Sequence, residues 1–292
     1  MSVSITSNLD KWVKCISTSG TIRAVAITAT ESSQFLSSRH QLSAAGSKSL
    51  AESIIAGLLL SSYCKTGEKV NLNIQGSGNC STAIVDANSE GQFRGYVVER
   101  DPTQIQIGRG IGPWGIGLFS VLRTKHEESQ PYIGTVPLLT GHLAKDLSFY
   151  WLQSEQVNSA VGIEVFMDEH GKIKMAEGFL IQALPGATEA DITFIENHLK
   201  RLQEIDSNNT VRSSPVQLLS FILENQTFTV LEETPLTVSC PCTVDRVKRS
   251  LTLIGSEELT SMADENKDFQ INCDFCSEVY SFTPEQIRQL IQ

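Results

Sequence analysis

The sequence predicts an α+β fold: an antiparallel, β-rich N-terminal domain with packed helices, then a helical linker, then a small C-terminal module. Three observations predict it. Segments of period-two alternation, rich in β-branched residues and punctuated by glycine, fill most of residues 1–186. The apolar period then lengthens to that of amphipathic helices across 187–232. Residues 233–292 hold few large apolar side chains but four of the seven cysteines, as Cys240-Pro241-Cys242 and Cys273-Asp274-Phe275-Cys276.

Each element has its own signal. "WVKCIST" and "IRAVAITAT" alternate apolar and polar residues between Trp12 and Thr30, which predicts two strands. "SKSLAESIIAGLLLSSYC" repeats Leu50, Ile54 and Leu58 at helical spacing behind a serine-rich start, with Gly67 just past its end, so a mostly buried helix is expected. "KVNLNIQGSG", "STAIVDANSEGQFRGYVVE" and "QIQIGRGIGPWGIGLFSVLRTK" alternate again and predict an antiparallel meander. "GHLAKDLSFYWLQSEQVNSA" predicts a second helical stretch, and "VGIEVFMDE" with "IKMAEGFLIQAL" a hairpin turning at "HGK". Pro185-Gly186 closes this domain. Behind Thr188, an N-cap residue, Ile192, Ile195, Leu199 and Leu202 step by three, four and three, which is the stripe of an amphipathic helix. "DSNNTVRSS" breaks it, and Pro215 opens another helix at its permitted first turn.

Composition narrows the function. At 292 residues, with 40% hydrophobic and 19% charged residues, the chain suits an ordinary globular protein of about two domains. The formal charge of −10 opposes attraction to phosphate, so nucleic acid is not an expected partner. The first twenty residues lack the apolar centre of a secretory signal, and the run from Ile54 to Leu60 is far too short to span a bilayer. A cytoplasmic protein without membrane contact is expected. Thiols in that compartment stay reduced, so close cysteine pairs point to metal or redox chemistry.

Two such pairs can close a tetrahedron around one Zn2+ at Zn–S distances of about 2.3 Å. Structural zinc contributes about 10–16 kcal/mol of apparent folding free energy, which would staple a module that lacks a large core. Spacing alone leaves open whether such a site is inert or redox-active. From Cys240 onward the module carries nine acidic residues against five basic ones, too acidic for a finger that reads phosphate.

Further stretches extend the pattern: "FRGY" (Phe93 to Tyr96), "YIGTVPLLTGHLAKDLSFYWLQSEQ" (Tyr132 to Gln156), "GFLIQALPGA" (Gly178 to Ala187), "CPCTVDRVKRSLTLIGSEEL" and "CDFCSEVYSF". Together they resemble the redox-regulated heat-shock chaperones of the 33-kDa chaperonin family, over most of the chain. The resemblance implies an ATP-independent holdase, a binding protein with no catalytic residues. It further implies that Cys240, Cys242, Cys273 and Cys276 hold one zinc per chain as thiolates in the reduced, inactive state. Oxidation would then form Cys240–Cys242 and Cys273–Cys276 disulfides, expel zinc, unfold the module and the linker, and expose surface for unfolded or partly folded client proteins. Oxidised members of the family form homodimers.

Physical chemistry supports each step. Thiolate is the form that oxidants attack. A disulfide across one intervening residue is strained and easily reduced, because an extended chain holds its Cα atoms near the upper limit of about 6.8 Å. Uncovering the stripe of Ile192, Ile195, Leu199 and Leu202 would create an apolar patch suited to clients. This chain departs from the family pattern at Val238, where some members have an aromatic residue, at Glu177, where glycine is frequent, and in the insertion-like "GIGPWGIG". None of these is a sulfur ligand.

Other signals are weaker. Gly110, Gly112 and Gly115 match G-x-G-x-x-G, but Pro113 interrupts them and strand-like "LFSVL" follows, so a glycine-rich turn is expected. His40, His126, His142, His170 and His198 show no ligand spacing, and Cys15, Cys64 and Cys80 read as small buried residues. Two rival functions stand beside the chaperone. One is a thiol–disulfide oxidoreductase using Cys273 and Cys276, disfavoured because "CDFC" does not open a helix. The other is a constitutive zinc-stabilised interaction domain.

Overall fold

Ten strands form one sheet in this computed structural model, which describes residues 3–105, 107–124, 130–204, 214–224 and 227–291. In chain order they are β1 (Val3–Ser17), β2 (Ile22–Thr28), β3 (Lys69–Gly76), β4 (Cys80–Asn88), β5 (Gln92–Glu99), β6 (Gly117–Thr124), β7 (Tyr132–Leu138), β8 (Ser159–Met167), β9 (Ile173–Ala183) and β10 (Phe228–Cys240). Across the sheet they run β7-β6-β3-β4-β5-β10-β1-β2-β9-β8, antiparallel throughout except where β10 meets β5. Alternation sets the faces. On β3, Val70, Leu72 and Ile74 are buried, while Lys69, Asn71 and Asn73 are more open. The expected α+β class is the one observed, with β7 added as a strand and no strand among the described residues of "QIQIG".

The α-helices among the described residues of the N-terminal part are α1 (Thr30–His40), α2 (Ala44–Ser61) and α3 (Leu143–Gln153). Leu50, Ile54 and Leu58 of α2 are fully buried in the main core, as their spacing predicts. Trp114, delivered by "GIGPWGIG", is fully buried in the same core, and its Nε1 donates to Glu52 Oε2 at 3.3 Å. Gly110 and Gly115 have φ of +81° and +69°, and the chain then enters β6 rather than a helix, so no phosphate-binding turn forms.

Helix α1 is not predicted by the sequence, because "TESSQFLSSRH" carries only Phe35 and Leu36 as apolar residues and shows no helical stripe. Its N-cap residue Ala29 offers no capping side chain, and β1 supplies one instead: Asp10 accepts from the backbone N–H of Glu31 (3.3 Å) and Ser32 (2.6 Å). Losing that acceptor leaves buried donors without a partner. Asp10→Ala is expected to lower stability by about 1–2 kcal/mol, read as a shifted urea midpoint, with Asp10→Asn retaining most of it. Equal midpoints for parent and Asp10→Ala would refute the capping role.

The linker carries α4 (Glu189–Glu204) and α5 (Pro215–Leu223). Thr188 caps α4 reciprocally with Asp191, the Asp191 N–H donating to Thr188 Oγ1 (3.2 Å) and the Thr188 N–H to Asp191 Oδ2 (3.0 Å). Ser214 caps α5 through the N–H of Gln217. Trp12, Val25 and Ile27 face the α2 core, so the alternate residues Val13, Ala24, Ala26 and Ile181 point to the opposite side of the sheet. There they pack against Ile195, Leu218, Leu219 and Ile222 of the linker helices. His126 and residues 205–213 lie outside the described residues, as do the side chains of His198 and Leu202.

Two clefts flank the join between linker and sheet. One cavity of about 410 Å3 lies among Phe149, Leu152, Ala160, Ile181, Ile192 and Ile195. Another, of about 460 Å3, lies between α2, the start of α3, β9 and α5, where Glu177 lines it with Lys48, Lys145 and Phe221. The boundary expected between residues 232 and 233 falls inside β10, which pairs with β1 from Phe228 opposite Ser17 to Cys240 opposite Val3.

Beyond β10 come α6 (Val244–Thr252), α7 (Ser256–Asp264), the hairpin of β11 (Phe269–Asn272) and β12 (Val279–Phe282), and α8 (Pro284–Arg288). Their core is small: Leu251, Leu259, Ala263, Tyr280, Phe282 and Ile287 are buried together with Cys240, Cys242 and Cys276.

Candidate metal centre

Two local structures bring the four cysteines together. Cys240 ends β10, and Cys242 sits in the three-residue connection to α6, whose N-cap Thr243 accepts from the Arg246 N–H at 3.3 Å. Cys273 and Cys276 lie in the knuckle between β11 and β12. The Cys273 carbonyl accepts from the N–H of Cys276 (3.3 Å) and of Ser277 (2.8 Å), and the Cys273 N–H donates to the Glu278 carbonyl (2.9 Å). No helix starts at "CDFC".

The four sulfurs lie within 4.8 Å of one another. Cys242 and Cys276 are in contact at 3.3 Å and Cys240 and Cys273 at 3.7 Å, each contact joining sulfurs of different pairs. Four sulfurs each 2.3 Å from a central ion would stand about 3.8 Å apart, so the set fits a tetrahedral thiolate-bound metal ion. Cys240, Cys242 and Cys276 are buried and Cys273 half-buried, which limits access by water. As free thiols they share protons unequally. The contact with Cys240, aided by the N–H groups of Phe275 and Cys276, pulls the Cys273 thiol down to about 4, while burial pushes that of Cys276 up to about 12.

The knuckle is docked on the main sheet by residues that cysteine spacing does not reveal. Arg39, at the end of α1, donates through Nε to the Cys276 carbonyl (2.5 Å) and through Nη2 to Glu278 Oε2 (2.8 Å). His40 Nδ1 and Ser277 Oγ are 2.9 Å apart, and His40 Nε2 lies 3.3 Å from the Phe275 carbonyl. From β5, Tyr96 meets the Phe275 ring edge-on with centroids 5.2 Å apart, and the Arg94 guanidinium stacks on that ring at 3.8 Å. The signal for these contacts was "FRGY". Phe93 enters the core, while Arg94 and Tyr96 share the opposite face and reach the knuckle. Between them, a Cβ on Gly95 would stand 2.9 Å from Val85 Cγ2.

The remaining cysteines are elsewhere. Burial pushes the thiols of Cys15 and Cys80 up to about 11, which leaves them protonated and inert. Cys64 is half-buried beside Arg123, whose Nη1 donates to its sulfur at 3.3 Å.

Fold and site together define a class: a wide mixed sheet that carries, docked on one side, a small module built around four thiols of metal-ligand geometry. The model of the family described as Hsp33 protein matches residues 10–283. A 33 kDa chaperonin of Streptococcus agalactiae is 33% identical over 287 residues, covering 97% of this chain and 98% of its own. One from Streptococcus pneumoniae is 32% identical over 291 residues, with coverage of 97% and 99%. The crystal structure of the 33 kDa chaperonin from Thermotoga maritima superposes with a TM-score of 0.83 at 25% identity, covering 97% of this chain and 98% of that one. The chain belongs to the Hsp33 family of chaperones.

Proposed function

We propose that this chaperone is an ATP-independent holdase, a binding protein rather than an enzyme, switched on by oxidation of its four-cysteine centre in the cytoplasm. One observation carries the reading: three of the four thiols that fit a metal ion also form a third of the buried core of the module. Reduced, Cys240, Cys242, Cys273 and Cys276 would hold one zinc ion, whose charge keeps the sulfurs deprotonated and the module folded. The three functional units are then the core (1–186), the linker (187–232) and the switch (233–292), with β10 as the strand that ties switch to core.

Oxidation by a peroxide proceeds in two balanced steps. A thiolate attacks one peroxide oxygen and becomes a sulfenic acid as hydroxide leaves. A second thiolate then displaces another hydroxide as the S–S bond forms. Two electrons pass to the peroxide, and both hydroxides take protons from solvent. Sulfurs 3.3 Å or more apart must close to about 2.05 Å for a disulfide, so the folded arrangement does not survive. Once the module unfolds, loop closure favours near neighbours, hence Cys240–Cys242 and Cys273–Cys276 rather than the cross-pair approaches of the folded state.

Unfolding of the switch loosens β10, and with it the linker that covers Val13, Ala24, Ala26 and Ile181. Two clefts flank this seam, which supports local opening there. The uncovered face would bind unfolded or partly folded proteins, and two oxidised copies would associate as a homodimer. Neither nucleic acid nor membrane is a proposed partner. Among the described residues no helix is long and apolar enough to cross a membrane.

The test follows zinc release and suppression of a client's aggregation together, during peroxide treatment at mildly raised temperature. About one zinc per chain should leave as client protection appears, and peptide mapping should find the two near-neighbour disulfides. Zinc that stays bound, or leaves without client protection, would mark a static structural site and sink the switch.

A further inference from the structure

Resting on the zinc-switch reading, we propose that Arg94 is a positioning residue of the centre that slows its oxidation, by donating to the Cys240 sulfur while clamping the knuckle that carries Cys273 and Cys276. One guanidinium touches both halves of the cysteine set. Its Nη1 lies 3.9 Å from Cys240 Sγ, and its face covers the ring of Phe275 at 3.8 Å. The group is fixed from behind: Nε and Nη2 donate to Asp86 Oδ2 on β4, at 2.8 and 2.7 Å. Asp86 is steadied in turn by Asn71 Nδ2, which donates to Oδ1 at 2.7 Å. Three strands of the main sheet thus aim a single cation at a sulfur of the switch.

The direction of the effect follows from charge. A metal-bound cysteine is already a thiolate, so a nearby cation does not create the nucleophile. A donated N–H instead draws electron density from sulfur, and a less basic sulfur attacks peroxide more slowly. The stacked Phe275 adds a geometric restraint, because attack and bond formation require the knuckle to move. Arg39 restrains that knuckle too, but through the Cys276 carbonyl and Glu278, without contact to a sulfur. The two arginines therefore separate the contribution of docking from that of the sulfur contact.

The experiment uses the reduced, zinc-loaded full chain and its variants Arg94→Met, Arg94→Lys, Asp86→Asn and Arg39→Met. Zinc release at a fixed peroxide concentration is followed with a coloured chelator. Zinc content before oxidation and the thermal transition of the main sheet serve as controls. Arg94→Met should keep its zinc and its main transition yet release zinc about tenfold faster. Arg94→Lys, which keeps the charge without the fork, and Asp86→Asn, which loosens it, should lie between. Arg39→Met should stay nearer to the parent. A release rate for Arg94→Met within twofold of the parent would overturn the assignment, as would an equal acceleration by Arg39→Met, which traces the effect to docking alone. Should Arg94→Met fold poorly, an Arg94→Lys rate equal to the parent's overturns it as well. A parent chain that keeps its zinc under peroxide overturns both the switch and this proposal, whereas a parent that releases zinc beside an indifferent Arg94→Met removes the proposal alone.

Discussion

Replacing Cys273 with serine is expected to strip the switch of its metal and unfold it, leaving the ten-stranded sheet standing. Three of the nine buried residues in the core of the module are cysteines. Burying a large apolar side chain contributes about 1.5–3 kcal/mol, and ordering each residue costs about 1–2 kcal/mol. Leu251, Leu259, Phe282 and Ile287 cannot offset that cost for the whole module, whereas structural zinc supplies about 10–16 kcal/mol. Hydrogen exchange should therefore become rapid in α6, α7 and the β11–β12 hairpin while α2 stays protected, and zinc content should fall to near zero. Client protection should appear without any oxidant. Cys15→Ser, at a buried thiol remote from the centre, should do none of this. A Cys273→Ser protein with a full complement of zinc and a protected hairpin refutes the four-thiol site. One that unfolds locally without gaining client protection leaves the metal site standing and refutes the switch.

How much of this was legible in the sequence depended on the range over which each signal acts. Alternation on β3 and β4, the spacing of Leu50, Ile54 and Leu58, and the Thr188 cap are local properties, and each became the element that it predicts. The close cysteine pairs were legible for the same reason. Helix α1 was not, because its apolar content is little more than Phe35 and Leu36 and its cap comes from Asp10, twenty residues upstream. β10 was concealed by "LEETP", which reads as a polar connection until β1 pairs with it. The docking of the knuckle was least accessible. Arg39 and Arg94 lie far from Cys276 and Cys240 in the chain, and only the folded sheet brings them within reach. "FRGY" marked the place through resemblance, but its reason, two side chains on one face with a glycine between them, is a property of the packed strand.

Leu219→Asp is expected to activate the reduced chaperone with its zinc still in place. Leu219 is fully buried between α5 and the outer face of β1 and β2, in a cluster separate from the main core. Removing a buried leucine costs about 2–5 kcal/mol, and a carboxylate without a partner in that setting adds more. Such a charge must reach water, and the least costly route is for α5 to lift from the sheet. The clefts beside it lower the cost of that opening, whereas Leu50, Ile54 and Leu58 of α2 are fully buried in the main core beneath the opposite face. An apolar-binding dye should brighten, and client protection should appear without peroxide, while the zinc content remains that of the parent. Ile54→Asp, placed in α2, should instead collapse the whole transition. If Leu219→Asp binds the dye but protects no client, the face beneath the linker is not where clients bind. If it sheds zinc as well, the linker and switch unfold as one unit, and the order of events runs in either direction along β10.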